Sequence, residues 1–277
     1  MPDLASRTDL TRAADLLRGA DALLVCAGAG MGVDSGLPDF RGDAGFWRAY
    51  PPYAALGLRF EELADPVHFA EDPALAWGFY GHRIALYRAT GPHAGFALLR
   101  KWGERLPRGQ WVFTSNVDGQ FQLAGFDRVA ECHGSIHWLQ CAGGCSDDIW
   151  PAADLQVEVD PETMRAVGEL PGCPGCGGLA RPNILMFGDY DWVGRRSQVQ
   201  LEDYTRWRRE LRGANLVVVE IGAGQAVPTV RRQAELASAA GGGLIRINPR
   251  EPQLRHGRGI ALPLTCLDAL QQLDELV

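Results

Sequence analysis

Apolar and polar positions follow two regimes along this chain. Short continuous apolar runs bounded by turn residues occur at DALLVCA (21–27), QWVFT (110–114), NILMF (183–187), ANLVVVEIG (214–222) and GLIRIN (243–248). VAECHGS (129–135) reads as a short strand running into a loop. Such runs predict strands buried on both faces, as in parallel sheets. Between them lie stretches with helical spacing: 8–18, with Leu10, Ala13, Ala14 and Leu17 on one face, then 94–106, about 200–212 and about 227–239. Strands alternating with helices predict an α/β fold built on a doubly wound parallel sheet. Two segments break the alternation. Residues 46–91 carry Trp and Tyr at helical intervals with several Pro, which predicts a small helical insertion. Residues 138–182 hold a cysteine cluster and become rich in Gly and Pro at their distal end. We therefore expect a Rossmann-like domain of residues 1–45, 92–137 and 183–277, and a smaller lobe formed by 46–91 and 138–182, with a cleft between them.

Composition narrows the partners. The net charge is −7 over 277 residues, which argues against general nucleic-acid binding, since that needs a basic surface. No run of eighteen apolar residues predicts a membrane span, and the charged N-terminal stretch lacks the apolar core of a signal peptide. Of seven cysteines, four fall as Cys141-x3-Cys145 and Cys173-x2-Cys176. That spacing predicts a structural zinc site of four thiolates with no open position, tied down by tight Gly and Pro knuckles. It fits a reducing cytoplasm better than a disulfide framework does. Cys26, Cys132 and Cys266 lie in or beside apolar segments and read as ordinary buried thiols.

Gly28, Ala29 and Gly30, with Gly32 close behind, follow the first strand, and a helix is expected to begin near Asp34 or shortly before. Glycines here let a backbone approach phosphate closely, and N–H groups at a following helix start favour negative charge. The dinucleotide fingerprint is imperfect, because Val33 stands where a third Gly belongs and no acidic residue ends a second strand about twenty positions on. The loop continues as Ser35-Gly36-Leu37-Pro38-Asp39-Phe40-Arg41-Gly42, a Pro, an acid, an aromatic and a base together. This suggests a lid, with Phe40 over a reactive carbon and Arg41 near phosphates; a solvated Asp–Arg pair at a helix end is the plainer reading.

GAGMGVDSGLPDFRG resembles the sirtuin signature GAGxSxxSGxPDFRG. In order there follow TSNVDG (114–119), like TQNID; His133-Gly134, like the catalytic HG pair; the cysteine quartet; RPNILMFGD (181–189), like RPxVVxFGE; IGAG (221–224), where the family has a GTS-type loop; and Ile247-Asn248, like its IN. The resemblance spans about residues 10–270. It implies an NAD-dependent protein-lysine deacylase that releases nicotinamide, free lysine and O-acyl-ADP-ribose from an acyl-lysine protein or peptide. On this resemblance His133 is the catalytic base, a task suited to an imidazole titrating near neutrality. Asn116 orients the ribose or a water, and Asp118 holds the nicotinamide carboxamide with help from Asp39. Ser115, Gly222, Gly224 and Asn248 complete the NAD-binding set.

Three departures stand out: Ser115 for the family's glutamine, Gly32 for the serine of GAGxS, and Ala223-Gly224 for Thr-Ser. Each removes a hydrogen-bonding side chain, so ADP-ribosyl transfer or NAD hydrolysis on the same site, or a non-catalytic NAD-sensing domain, remain alternatives. Tyr80 and Arg83 share one helical face at i, i+3. In sirtuins acting on malonyl, succinyl or glutaryl groups such a pair reads the acyl carboxylate, by charge-assisted contact. A packed aromatic helix with an Arg reaching water explains the same pair. Phe187, Gly188 and Asp189 are expected to pair main chain to main chain with an extended substrate peptide.

Overall fold

A computed structural model of the protein describes residues 6–38, 51–55, 57–239, 242–255 and 259–277. In chain order its strands are β1 (Ala22–Ala27), β2 (Gln110–Thr114), β3 (Val129–Glu131), β4 (Gly134–Cys141), β5 (Ile149–Pro151), β6 (Glu158–Asp160), β7 (Arg165–Val167), β8 (Ala180–Ile184), β9 (Leu216–Ile221), β10 (Gly242–Ile247) and β11 (Gly259–Leu262). Six of them form one sheet in the order β11-β10-β9-β1-β2-β3, and every pairing in it is parallel. Val, Leu, Ile and Cys side chains of β1 and β9 are buried along the whole strand. One face packs on helices Arg7–Arg18, Ala94–Glu104 and Cys266–Asp274, through Leu10, Leu17, Phe96, Leu99 and Leu270. The other packs on helices Arg195–Glu210 and Thr229–Ala239, through Tyr204, Trp207, Val230 and Ala234. Burying each Val or Leu there is worth about 1.5–3 kcal/mol, which is why two-sided apolar runs settle in the middle of this sheet.

A second hydrophobic core lies apart from the sheet's two faces. Helix Pro73–Ala89 starts on an Asp72 cap, whose carboxylate accepts from the Leu75 N–H at 3.2 Å, with Pro73 in the first turn. Gly78 and Gly81 let it lie against the β6–β7 hairpin; a Cβ at Gly78 would stand 2.1 Å from the Met164 carbonyl oxygen. Trp77, Phe79, Tyr80, Ile136, Leu139 and Met186 fill the space beneath it. Short helical turns Pro51–Ala55, Phe60–Leu63 and Val67–Glu71 precede it. No helix among the described residues is long and apolar enough to cross a membrane.

Two expectations are corrected. NILMF was expected to be a strand of the parallel sheet, yet β8 covers Ala180–Ile184 and pairs antiparallel with β4 in a three-stranded sheet with β5. The chain then turns at Phe187-Gly188, where Gly188 has φ +66°. Apolarity alone did not distinguish the two sheets, because β8 too is buried along its whole length. Likewise the helix expected to begin near Asp34 is instead a 3-10 helix, Ala29–Ser35, ending there on Gly36 at φ +92°.

Candidate active site

The chain runs from β1 outward to β2 and β3, returns to β9 beside β1, and proceeds outward the other way. The strand order therefore reverses between β1 and β9, and at such a reversal the loops leaving the carboxyl ends of the strands diverge and open a crevice. The register brings Ala27, Thr114, Glu131, Ile221 and Ile247 to one edge. The loops that follow carry, across the sheet, Asn248, Gly222–Gly224, Gly28–Gly30, Ser115–Asp118 and His133. Asp39, Phe40 and Arg41 lie outside the described residues.

Glycine is required where the two central loops meet. A Cβ on Gly28 would fall 2.7 Å from Ala223 Cα, and one on Gly222 2.5 Å from the Gly30 carbonyl carbon and the Met31 nitrogen. Gly222 also has φ +61°, and its carbonyl accepts from the Gly30 N–H at 3.0 Å. The Gly-rich segment is secured from behind by residues the sequence patterns did not single out. His93 bonds the Met31 carbonyl at 3.0 Å, and Asp34 accepts from the Leu267 N–H at 2.7 Å. The result is a crevice floor made of main chain, and glycines there fit the close approach of a phosphate to backbone N–H groups.

Asn116 and Asp118 sit just beyond β2. Thr114 Oγ1 accepts from the Asn116 N–H at 3.0 Å, and Asn116 Nδ2 donates to the Gly28 carbonyl at 3.1 Å, so Asn116 is held against the Gly-rich loop. The Asp118 carboxylate accepts from the Gln120 N–H at 2.9 Å, while His137 Nε2 meets the Asp118 carbonyl at 2.8 Å. Burial pushes the Asp118 carboxyl up to about 6, with Glu131 adding to the rise and Arg83 opposing it. His133 follows β3, half-buried, and its carbonyl accepts from the Leu185 N–H at 2.9 Å. Burial holds its imidazole below the usual histidine range, so it stays neutral and able to accept a proton at neutral pH. Gly134 has φ +76° and a Cβ there would meet the Asn183 carbonyl oxygen at 2.1 Å; only glycine lets the chain turn from His133 into β4.

Tyr80 and Arg83 are both buried. The Arg83 guanidinium lies over Phe79, Tyr87, Tyr80 and Phe60, with centroid distances of 5.1, 5.3, 5.6 and 5.9 Å. Its Nε and Nη2 donate to the Tyr87 hydroxyl at 3.1 and 2.8 Å. A cation in an aromatic cage at low dielectric favours a carboxylate partner. Burial lifts the Tyr80 phenol to about 12, keeping it a neutral donor. Tyr87, one turn beyond Arg83, was missed in the sequence; its i+4 spacing was the available signal. Other expected residues are occupied within the protein. The Asp189 side chain is fully buried and bonded to Arg181, and it accepts from the Met186 and Asp191 N–H groups, both at 3.2 Å, so its carboxylate shapes the turn. The Phe187 N–H donates to the Ala64 carbonyl at 3.0 Å, and its half-exposed ring stands edge-on to Phe60 at 6.1 Å. Asn248 is buried, donating to the Ala223 carbonyl at 2.9 Å and accepting from the Arg250 and Glu251 N–H groups, both at 3.0 Å.

The four cysteine sulfurs lie within 4.8 Å of one another, with Cys141–Cys176 at 3.8 Å and Cys145–Cys173 at 3.6 Å. A tetrahedron of Zn–S bonds of about 2.3 Å has edges of roughly 3.8 Å, so the quartet fits zinc. Gly144 and Gly177, at φ +63° and +73°, turn the two knuckles. The Cys145 N–H is the main cause lowering the Cys141 thiol to about 7, toward the thiolate a metal needs. Four protein ligands leave no position for substrate.

Glycine loops at the switch point of a doubly wound sheet, together with a closed four-cysteine site elsewhere in the chain, fit an NAD-using enzyme with a structural zinc. The sequence model of the Sir2 family matches residues 28–225, and the chain belongs to that family. It is 32% identical over 246 residues to NAD-dependent protein deacylase 1 of Pseudomonas aeruginosa, covering 88% of this chain and 89% of that protein. It is 34% identical over 188 residues to the mitochondrial NAD-dependent protein deacylase sirtuin-5 of Canis lupus familiaris, covering 61% of this chain and 57% of that one. Among solved structures, a Sir2 homologue bound to NAD superposes with a TM-score of 0.75 at 25% identity, over 99% of this chain and 96% of the other.

Proposed function

We propose that this chain is an NAD-dependent protein-lysine deacylase with a preference for acidic acyl groups. When bound, NAD would supply the ribose carbon that loses nicotinamide and receives the acyl oxygen; with one water consumed to free the lysine amine, the products are nicotinamide, free lysine and O-acyl-ADP-ribose. The chain's own residues divide the remaining work. Gly28, Ala29, Gly30, Ser115, Gly222 and Gly224 line the crevice along the diphosphate and ribose. Asp118, ionised above about pH 6, accepts from the carboxamide N–H2. Asn116, fixed by its bond to Gly28, keeps the ribose in register with His133, and neutral His133 takes the ribose hydroxyl proton. Arg83 and Tyr80 meet the far end of the acyl group. The turn at Phe187–Asp189 offers main chain to the peptide carrying the lysine. A cytoplasmic location goes with this reading, since thiolate ligands persist in a reducing compartment.

The observation that carries the acyl preference is the caged Arg83 guanidinium, buried among four aromatic rings. A succinyl or malonyl carboxylate offers that guanidinium a charge-assisted contact, which an acetyl group does not. The test is turnover of one peptide carrying acetyl- or succinyl-lysine, with nicotinamide and deacylated peptide both followed. We expect succinyl to be preferred by at least about tenfold and Arg83→Met to abolish that preference. Equal turnover of the two peptides overturns the acidic-acyl reading. Nicotinamide release without deacylated peptide moves the assignment to ADP-ribosyl transfer or NAD hydrolysis.

A further inference from the structure

The loop after β9 lacks hydroxyl side chains at Ala223 and Gly224, yet it lies at the centre of the crevice. Its conformation is set from beneath. The single carbonyl oxygen of Ala223 accepts two hydrogen bonds, from Arg231 Nε at 3.1 Å and Asn248 Nδ2 at 2.9 Å. Arg231 belongs to helix Thr229–Ala239 and is buried. It is held in turn by Glu220 and Glu251, each carboxylate 3.8 Å away, and it also donates to the Glu251 carbonyl. Glu220 is itself locked to buried Arg246 by two bonds of 2.7 Å. The chain of charges thus runs from the middle of the sheet to one peptide plane.

That plane matters because the described peptide bonds are all trans. In a trans peptide the C=O and the next N–H point to opposite sides. With the Ala223 carbonyl turned down onto Arg231 and Asn248, the Gly224 N–H is turned up, away from them. Among the described residues it has no acceptor in the protein, whereas the next amide, Gln225, is capped by the Glu251 carboxylate at 3.1 Å. We propose that Arg231 is a positioning residue for NAD: by holding the Ala223 carbonyl inward it presents the Gly224 N–H to the dinucleotide's diphosphate, doing through the backbone what a loop hydroxyl would do directly. The proposal rests on the NAD reading of the crevice. It also gives Asn248 the same indirect part, since its side chain is committed to this loop.

The test measures binding of ADP-ribose by calorimetry to the zinc-loaded full chain, alongside steady-state kinetics. Arg231→Gln is expected to weaken ADP-ribose by about tenfold or more and to raise KM for NAD by a similar factor. The effect on kcat and on KM for the acyl peptide should be within about twofold. Gly224→Pro removes the N–H itself and should weaken ADP-ribose at least as much. Because both changes act on one contact, the double variant should bind no worse than Gly224→Pro alone. Losses that multiply, or an Arg231→Gln protein with lowered Tm but ADP-ribose affinity within twofold of the parent, overturn the proposal. Should Arg231→Gln fail to fold, Arg231→Lys keeps the charge between Glu220 and Glu251 while lacking the Nε donor, and the same weakening is expected. A parent protein that binds no ADP-ribose refutes the NAD reading instead, and is told apart because it needs no variant.

Discussion

The nucleotide crevice and the proposed acyl pocket are built on opposite plans. The crevice is made of backbone. Gly28 and Gly222 close on each other with no room for a methyl group, and carbonyls of Gly28, Gly222 and Ala223 are each tied to a fixed donor. The pocket is made of side chains: one guanidinium caged by Phe60, Phe79, Tyr80 and Tyr87. Main chain binds what every substrate shares, the dinucleotide, and tolerates side-chain change around it. Side chains read what differs between substrates, so a single substitution can alter the preference. The difference explains how the chain lacks Thr-Ser in its phosphate loop and still keeps the shape of an NAD site.

The comparison breaks most sharply at the crevice. Gly222→Ala puts a methyl group 2.5 Å from the Gly-rich backbone, at a φ of +61° that L-residues adopt at a cost of about 1–2 kcal/mol. We expect ADP-ribose binding to fall by more than about a hundredfold with zinc content unchanged; calorimetry and metal analysis check both. Affinity retained within tenfold means the loops do not form a rigid floor. Next in size is the zinc. Cys173→Ser, or chelation, should lower Tm by about 10 °C or more and loosen β4 and β8 together with the acyl pocket, while strands β1 and β9 stay protected. Amide hydrogen exchange distinguishes this from uniform loosening.

The smallest effect joins the two regions at Asp118, which burial raises to about 6 and Arg83 pulls back down. A carboxyl protonated more readily when folded than unfolded stabilises the fold fully below about pH 4, and that contribution is lost as pH rises through about 6. Asp118→Asn should therefore stabilise the protein at pH 7 by about 1–3 kcal/mol, seen as a higher Tm, while kcat/KM for NAD drops by about tenfold or more. In the parent, kcat/KM should fall as pH drops below about 6, where Asp118 takes up its proton, and the pH profile of Asp118→Asn should lack that limb. An unchanged Tm at pH 7 contradicts the burial cost assigned to Asp118.

Much of this was legible beforehand. The positions of β1, β2, β9 and β10 followed from apolar runs, because a strand buried on both faces has no polar face to disguise it. The cysteine spacing announced a metal site, because knuckle geometry is local. NILMF misled for the same reason that the others succeeded: β8 is buried on both faces too, but in a different, antiparallel sheet, and pairing partners are not written in hydrophobicity. Asn248 was expected in the NAD-binding set, and Asp189 in main-chain pairing with a peptide. The structure adds what their side chains do: the amide of one is bonded to the Ala223 carbonyl and the carboxylate of the other to Arg181. Neither partner is a near neighbour in an element whose period could reveal it.

What the sequence by itself determined is therefore local or periodic: the alternation of strands and helices, the glycines after β1, the histidine before Gly134, and the four thiols. Tertiary structure alone decided which peptide planes face the crevice and which charges lie beneath them. Tyr87 reached Arg83 within one helix, but Arg231, from helix Thr229–Ala239, and Asn248 and Glu251, from the loop after β10, converge on the loop after β9 from two later segments of the chain. Such convergence depends on strand order and the packing of helix Thr229–Ala239, where long-range contacts, not neighbouring residues, fix the geometry.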